Sequence, residues 1–178
     1  MLGRMIQRLR RLFQRSSAQH GLDPTRAMER YERGMALFDD GKWSAAEREF
    51  TAAIQTSIPI AGMYHHRGSA FAEQGKHLEA VADYDAAIRL RPDYPDMYVD
   101  RGNSYHALER DEVALKDYSE AIRLRPDYPE GYANRAAVYA ALGDDEASRK
   151  DAEEAMARGI DRAALESLLE ETVNARRK

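Results

Sequence analysis

The residues with the types and spacing to do chemistry fall into two sets. Arg33, Arg67, Arg101 and Arg135 recur every 34 residues, and Glu49, Asp83, Asp117 and Asp151 follow each of them by 16. A guanidinium presents a planar fork of donors that a carboxylate accepts through both oxygens, so such a pair orients its two helices as well as attracting them. A catalytic pair occurs once, in its own environment; a pair repeated four times at one spacing reads as a structural ladder. Breaking one partner of such a pair in a dry site costs about 3–5 kcal/mol. The second set is His65, His66 and His106. A metal site needs converging ligands, whereas neighbouring residues on a helix point about 100° apart. No His-x-x-x-His or Glu-x-x-His pair accompanies these histidines, and the chain has no cysteine. They suit polar, pH-sensitive contacts to a peptide, so no metal or cofactor is expected. The chain also lacks a phosphate-cradling glycine loop and a nucleophile motif, which argues against an enzyme.

Both sets ride on a repeat. Tyr64-His65-His66-Arg67-Gly68, Tyr98-Val99-Asp100-Arg101-Gly102 and Tyr132-Ala133-Asn134-Arg135-Ala136 are in register, with Arg30-Tyr31-Glu32-Arg33-Gly34 one period earlier. Further along come Ala46, Ala80 and Ala114, then Phe50, Tyr84 and Tyr118, then Ala53, Ala87, Ala121 and Ala155. Each unit holds two apolar helical periods around a break, as in Tyr64, Gly68 and Phe71, then Gly75, then Ala80, Tyr84 and Ile88. Small residues at 34, 68, 102 and 136 let two helices approach, and the aromatics fill the space beside them. Gly41, Gly75 and Gly143 stand where the first helix must end in positive φ; the third unit has Glu109 there, which predicts strain or a different turn. Pro92 and Pro126 stop second helices, while Pro95 and Pro129 suit the first turns that follow.

This pattern resembles the tetratricopeptide repeat over residues 27–162, in units 27–60, 61–94, 95–128 and 129–162. The first unit departs in Arg30 and the late Pro59, and the fourth in Ala152 and Ile160. The resemblance implies an all-α fold, an α-solenoid of four helical hairpins spanning 23–162, stacked in a right-handed superhelix with a concave inner surface. Residues 163–178 are expected to form a capping helix and basic tail, N-capped by Asp161 and packed through Leu165, Leu168, Leu169 and Val173.

The net charge of −4 hides an asymmetry: residues 1–26 carry Arg4, Arg8, Arg10, Arg11, Arg15 and Arg26 against Asp23 alone, +5, which leaves −9 elsewhere. Leu2, Met5, Leu9 and Leu12 recur at helical spacing with Ile6 and Phe13 beside them, so residues 1–22 read as a basic amphipathic helix and a polar linker. Asp23 and Pro24 suit the start of the first solenoid helix. Four readings of the helix stand side by side: attachment to an anionic membrane through residues 1–15, docking on a partner or into a solenoid groove with self-association, a mitochondrial presequence, and an extension without a specific role. No run of about 20 apolar residues occurs, so the expected location is cytoplasmic, or peripheral at a membrane. A net acidic solenoid argues against nucleic acid.

If the recurring residues form the core, the opposite face of each first helix lines the groove. The first unit then contributes Met28, Tyr31, Glu32, Met35, Phe38 and Asp39, and the second Gly62, His65, His66, Ser69, Ala72 and Glu73. The third adds Asp96, Val99, Asp100, Asn103, His106 and Ala107; the fourth Glu130, Ala133, Asn134, Ala137, Ala140 and Ala141. Tetratricopeptide domains that capture acidic chaperone tails use groove cations, and this set has none. The expectation is a non-enzymatic protein-binding scaffold whose groove takes a basic or amphipathic peptide or helix. The alternative is a membrane-recruitment or assembly adaptor acting through Arg4, Arg8, Arg11 and the apolar face of the N-terminal helix.

Overall fold

Proline, aspartate and glycine punctuate the chain, and the helices follow that punctuation. The computed structural model describes residues 23–56, 58 and 60–176; the amphipathic segment Leu2–Phe13 and Pro59 therefore lie outside the described residues. Among the described residues there are nine helices and no strand: α1 Pro24–Asp39, α2 Trp43–Thr56, α3 Ala61–Ala72, α4 His77–Leu90, α5 Pro95–Ala107, α6 Asp111–Leu124, α7 Pro129–Leu142, α8 Asp145–Ala157 and α9 Arg162–Arg176. Proline opens α1, α5 and α7. Asp23 accepts the Arg26 amide at 3.0 Å, Asp144 the Ala147 amide at 3.0 Å and Asp161 the Ala164 amide at 2.8 Å, so side-chain oxygens satisfy otherwise orphaned donors.

The hairpin turns share one construction. The amides of Lys42, Lys76, Arg110 and Asp144 reach back five residues to the carbonyls of Leu37, Phe71, Tyr105 and Tyr139, at 2.8–3.0 Å. This closure needs a residue of positive φ just before the donor. Gly41, Gly75 and Gly143 supply it at φ 71°, 74° and 87°, and Glu109 is driven to φ 58°. The third turn is thus the same turn, made by a residue for which that backbone is strained.

From α1 to α8 each helix packs on the next, and α1, α3, α5 and α7 also touch in succession, the neighbour-to-neighbour contacts that a solenoid requires. Ala46, Ala80 and Ala114 are fully buried, and Phe50, Tyr84 and Tyr118 lie beside them. The close approach is set by missing methyl groups: a Cβ at Gly34, Gly68 or Gly102 would come within 2.6–2.9 Å of the Phe50, Tyr84 or Tyr118 ring. The fourth hairpin trades both members, with buried Ala136 and Ala152. Helix α9 closes that end by packing on α7 through Leu165, which is buried with Ala136, Ala152 and Ala155, and through Leu169. Leu168 does not join them; at 48% exposed it turns to solvent, because the cap needs only one narrow stripe.

Replacing Glu109 with glycine removes the strain of the third turn. Glu109→Gly is expected to stabilise the chain by about 1 kcal/mol, a rise of about 2–4 °C in melting temperature by circular dichroism. An unchanged or lower value contradicts the strain.

Candidate functional site

The arginine ladder holds the helices that carry the groove. Arg67 donates from Nε and Nη2 to Asp83 at 2.7 Å each, Arg101 to Asp117 at 2.8 and 2.7 Å, and Arg135 to Asp151 at 2.6 and 2.9 Å. All three carboxylates are buried. The remaining nitrogen, Nη1, reaches the second helix of the preceding hairpin: Arg67 meets Thr51 Oγ1 at 3.2 Å, Arg101 meets Asp85 Oδ1 at 2.5 Å and Arg135 meets Ser119 Oγ at 2.9 Å. Burial opposes the Arg101 charge, but the bonds to Asp117 and Asp85 outweigh it and hold its pKa above the ordinary arginine value. The rings of Tyr98 and Tyr105 lie 5.6 and 5.9 Å from its guanidinium carbon and add cation–π attraction.

The first rung departs from this pattern. Glu49 takes Arg30 at 3.0 Å, while Arg33 stands at 3.8 Å with its side chain 62% exposed. Among the described residues no hairpin precedes it to offer a second acceptor, so Arg33 is not drawn inward.

The inner faces of α1, α3 and α5, with α4 beneath, enclose a groove cavity of about 440 Å³. Phe38 comes from α1, Ser69, Ala72 and Glu73 from α3, and Asp100, Asn103 and Ser104 from α5, above His77 and Tyr84. The aromatics that fill the core also reach this floor: Tyr84 Oη donates to Ser69 Oγ at 3.3 Å and Tyr118 Oη to Asn103 Oδ1 at 2.9 Å. Burial raises both phenols well above the tyrosine range, which keeps them protonated donors. Asn134 Nδ2 gives Asn103 Oδ1 a second bond at 2.9 Å. His65 Nε2 lies 2.6 Å from Asp100 Oδ2. His66 Nδ1 donates to the Gly62 carbonyl at 2.7 Å and lies 3.0 Å from Tyr31 Oη; burial pushes its pKa down and keeps the ring neutral.

A family model described as "TPR repeat" matches residues 68–109 and 102–143. The chain contains tetratricopeptide repeats. Its fold is similar to that of the first TPR of Spaghetti (RPAP3), solved bound to the HSP90 peptide SRMEEVD: 27% identity, 69% of this chain, 98% of that chain and a TM-score of 0.66. The first TPR domain of human RPAP3 is 28% identical over 71% of this chain and 99% of that one, TM-score 0.65. TTC0263, a thermophilic TPR protein of Thermus thermophilus, is 21% identical over 84% of this chain and 82% of that one, TM-score 0.72. No curated protein sequence matches the chain significantly.

In this tetratricopeptide solenoid the groove residues read from the sequence do not all meet. Phe38, Ser69, Ala72, Glu73, Asp100 and Asn103 come together at the cavity. Met28 is 44% exposed on α1, while Tyr31, Met35 and Phe38 pack partly against the Ala46–Phe50–Ala70 core. His106 is turned to Asp111 Oδ1 at 2.6 Å, held by the next helix. Val99 and Ala140 are buried, 4% and 1% exposed: Val99 joins the core cluster of Tyr118 and Val138, and the Ala140 carbonyl accepts from Arg176 of α9. Asp96 belongs to the outer loop edge, bound by Arg125 at 2.6 Å with that guanidinium 3.5 Å above the Tyr128 ring, so Arg125 does more than favour a helix end. Missed by the pattern were Ser104, His77 and Tyr84, which line the cavity from core and second-helix positions, and the second acceptor of each ladder arginine. That acceptor had a signal, since Thr51, Asp85 and Ser119 repeat at a fixed 16 residues before the arginine.

Arg101→Ala strands Asp117 and Asp85 and should lower the melting temperature by roughly 5–10 °C. Arg89→Ala removes an exposed side chain and should leave it unchanged. Equal effects rule out the ladder as the structural brace.

Proposed function

We propose that this tetratricopeptide-repeat protein is a non-catalytic interaction scaffold whose groove holds a basic, amphipathic segment of a partner protein. The family and the peptide-bound relative support a protein or peptide partner. The charge of the segment rests on one observation. Among the described residues, Glu32, Asp39 and Glu73 stand exposed along the groove without an ion-pair partner, and no Lys or Arg lines its cavity. Met28, Tyr31, Met35 and Phe38 supply an apolar stripe beside these carboxylates, the complement of an amphipathic helix. An acidic tail such as SRMEEVD would meet like charge here.

The test is charge reversal. Fluorescence anisotropy of labelled SRMEEVD and SRMKKVK peptides with the full chain should show the lysine peptide binding at least about tenfold tighter at low salt, with the advantage shrinking as salt rises. Tighter binding of the acidic peptide refutes the proposal.

A second reading has support in the charge asymmetry of the sequence, +5 in residues 1–26 against −9 in the rest. In it the N-terminal segment recruits the scaffold to an anionic membrane. Among the described residues no helix is long and apolar enough to cross a bilayer. Flotation with anionic liposomes decides the matter: recruitment requires salt-sensitive binding by the full chain that a chain starting at Asp23 loses, and co-migration of neither form excludes it.

A further inference from the structure

Ser104 is 1% exposed and lines the groove cavity, yet its Oγ has no hydrogen-bond partner among the described residues. His77 Nδ1, on the floor of the same cavity, is also buried and unpaired. Buried polar atoms are nearly always satisfied, so two orphans beside one cavity mark a network that an incoming molecule or water completes.

The surrounding groups state what that molecule carries. Glu73, on the α3 wall, has no ion-pair partner among the described residues. Asp100, on the α5 wall, engages His65 through Oδ2 and keeps Oδ1 for another donor. Tyr84 Oη spends its proton on Ser69 and retains lone pairs. In the tautomer with its proton on Nε2, His77 offers one more acceptor. Acceptors thus dominate, with the carboxylates contributed from α3 and α5 to a cavity that the Phe38 ring also lines. The donors left are the unpaired Ser104 hydroxyl and the Asn103 amide nitrogen, the latter free because Tyr118 and Asn134 occupy its oxygen.

We infer that this cavity is the anchor pocket for one arginine side chain of the bound segment, an inference that rests on the groove reading above. A guanidinium carries five donors in a rigid plane, enough to engage both carboxylates and a hydroxyl at once, and its face and stem pack on an aromatic ring. An ammonium has three donors and no such face. The Asn103 amide nitrogen then donates to a backbone carbonyl of the segment beside its arginine. The cavity, about 440 Å³, also admits waters that link the guanidinium to Ser104 and His77.

The probe is N-acetyl-arginine amide, titrated into the nitrogen-15-labelled full chain, with the neutral N-acetyl-citrulline amide as its isostere. Saturable shifts of the Glu73, His77, Asp100 and Ser104 amides are expected for arginine, with affinity about tenfold weaker for citrulline. Glu73→Gln, a change at a side chain without a structural partner, should weaken arginine by a similar factor and leave the melting temperature alone. Equal response to citrulline, or shifts spread over exposed carboxylates such as Glu146 and Glu171, overturns the pocket. If arginine misses the cavity while SRMKKVK still binds, the pocket assignment falls and the groove reading stands; if neither binds, both fall.

Discussion

The arrangement of these helices depends on one guanidinium in each of the second, third and fourth hairpins. Arg101 stands on α5, grips Asp117 on α6 with two nitrogens and Asp85 on α4 with the third. A single side chain therefore sets the distance between successive second helices and the angle of the first helix wedged between them. Hydrophobic contact alone tolerates sliding and rotation, whereas a planar fork with both ends occupied does not. This bracing is repeated at Arg67 and Arg135 with neutral acceptors, Thr51 and Ser119, in place of Asp85.

The repeat made the fold legible because its signals are local and redundant. Helix starts, helix stops, the small–large pairs and the ladder all recur at one period, so each unit checks the others. What escaped were features that depend on neighbours. Arg33 looks like its counterparts, but without a preceding hairpin among the described residues its second acceptor is missing and its place goes to Arg30. Val99 and Ala140 have groove register, yet Val99 joins the core around Tyr118 and Ala140 meets α9 through Arg176, and both are buried. Leu168 follows the apolar spacing of its helix and still faces water, since among the described residues α9 is covered on the side of Leu165 and Leu169 alone. Ser104 and His77 lie at positions that the pattern gives to the core and to the hairpin turn, and only the stacking brings them to one cavity.

The charges divide by location. Carboxylates that brace the solenoid are buried and saturated, as Asp83, Asp117 and Asp151 are, while several of those along the inner surface have no ion-pair partner among the described residues. An unneutralised row of like charge costs stability when the groove is empty, and a cationic chain laid along it relieves that cost. The histidines modulate the same surface: His65 shares Asp100, and His66 stays neutral beneath Tyr31.

The residue opposite the small position changes along the array, from Phe50 to Tyr84 to Tyr118 to Ala152. Two of these four send a hydroxyl through to the groove floor, and the outer two have none to send. A solenoid built on a period is therefore not periodic for a molecule lying in it. An occupant that meets both hydroxyls would, on sliding by one unit, leave one of its contacts over a floor without a hydroxyl, so its reading frame matters.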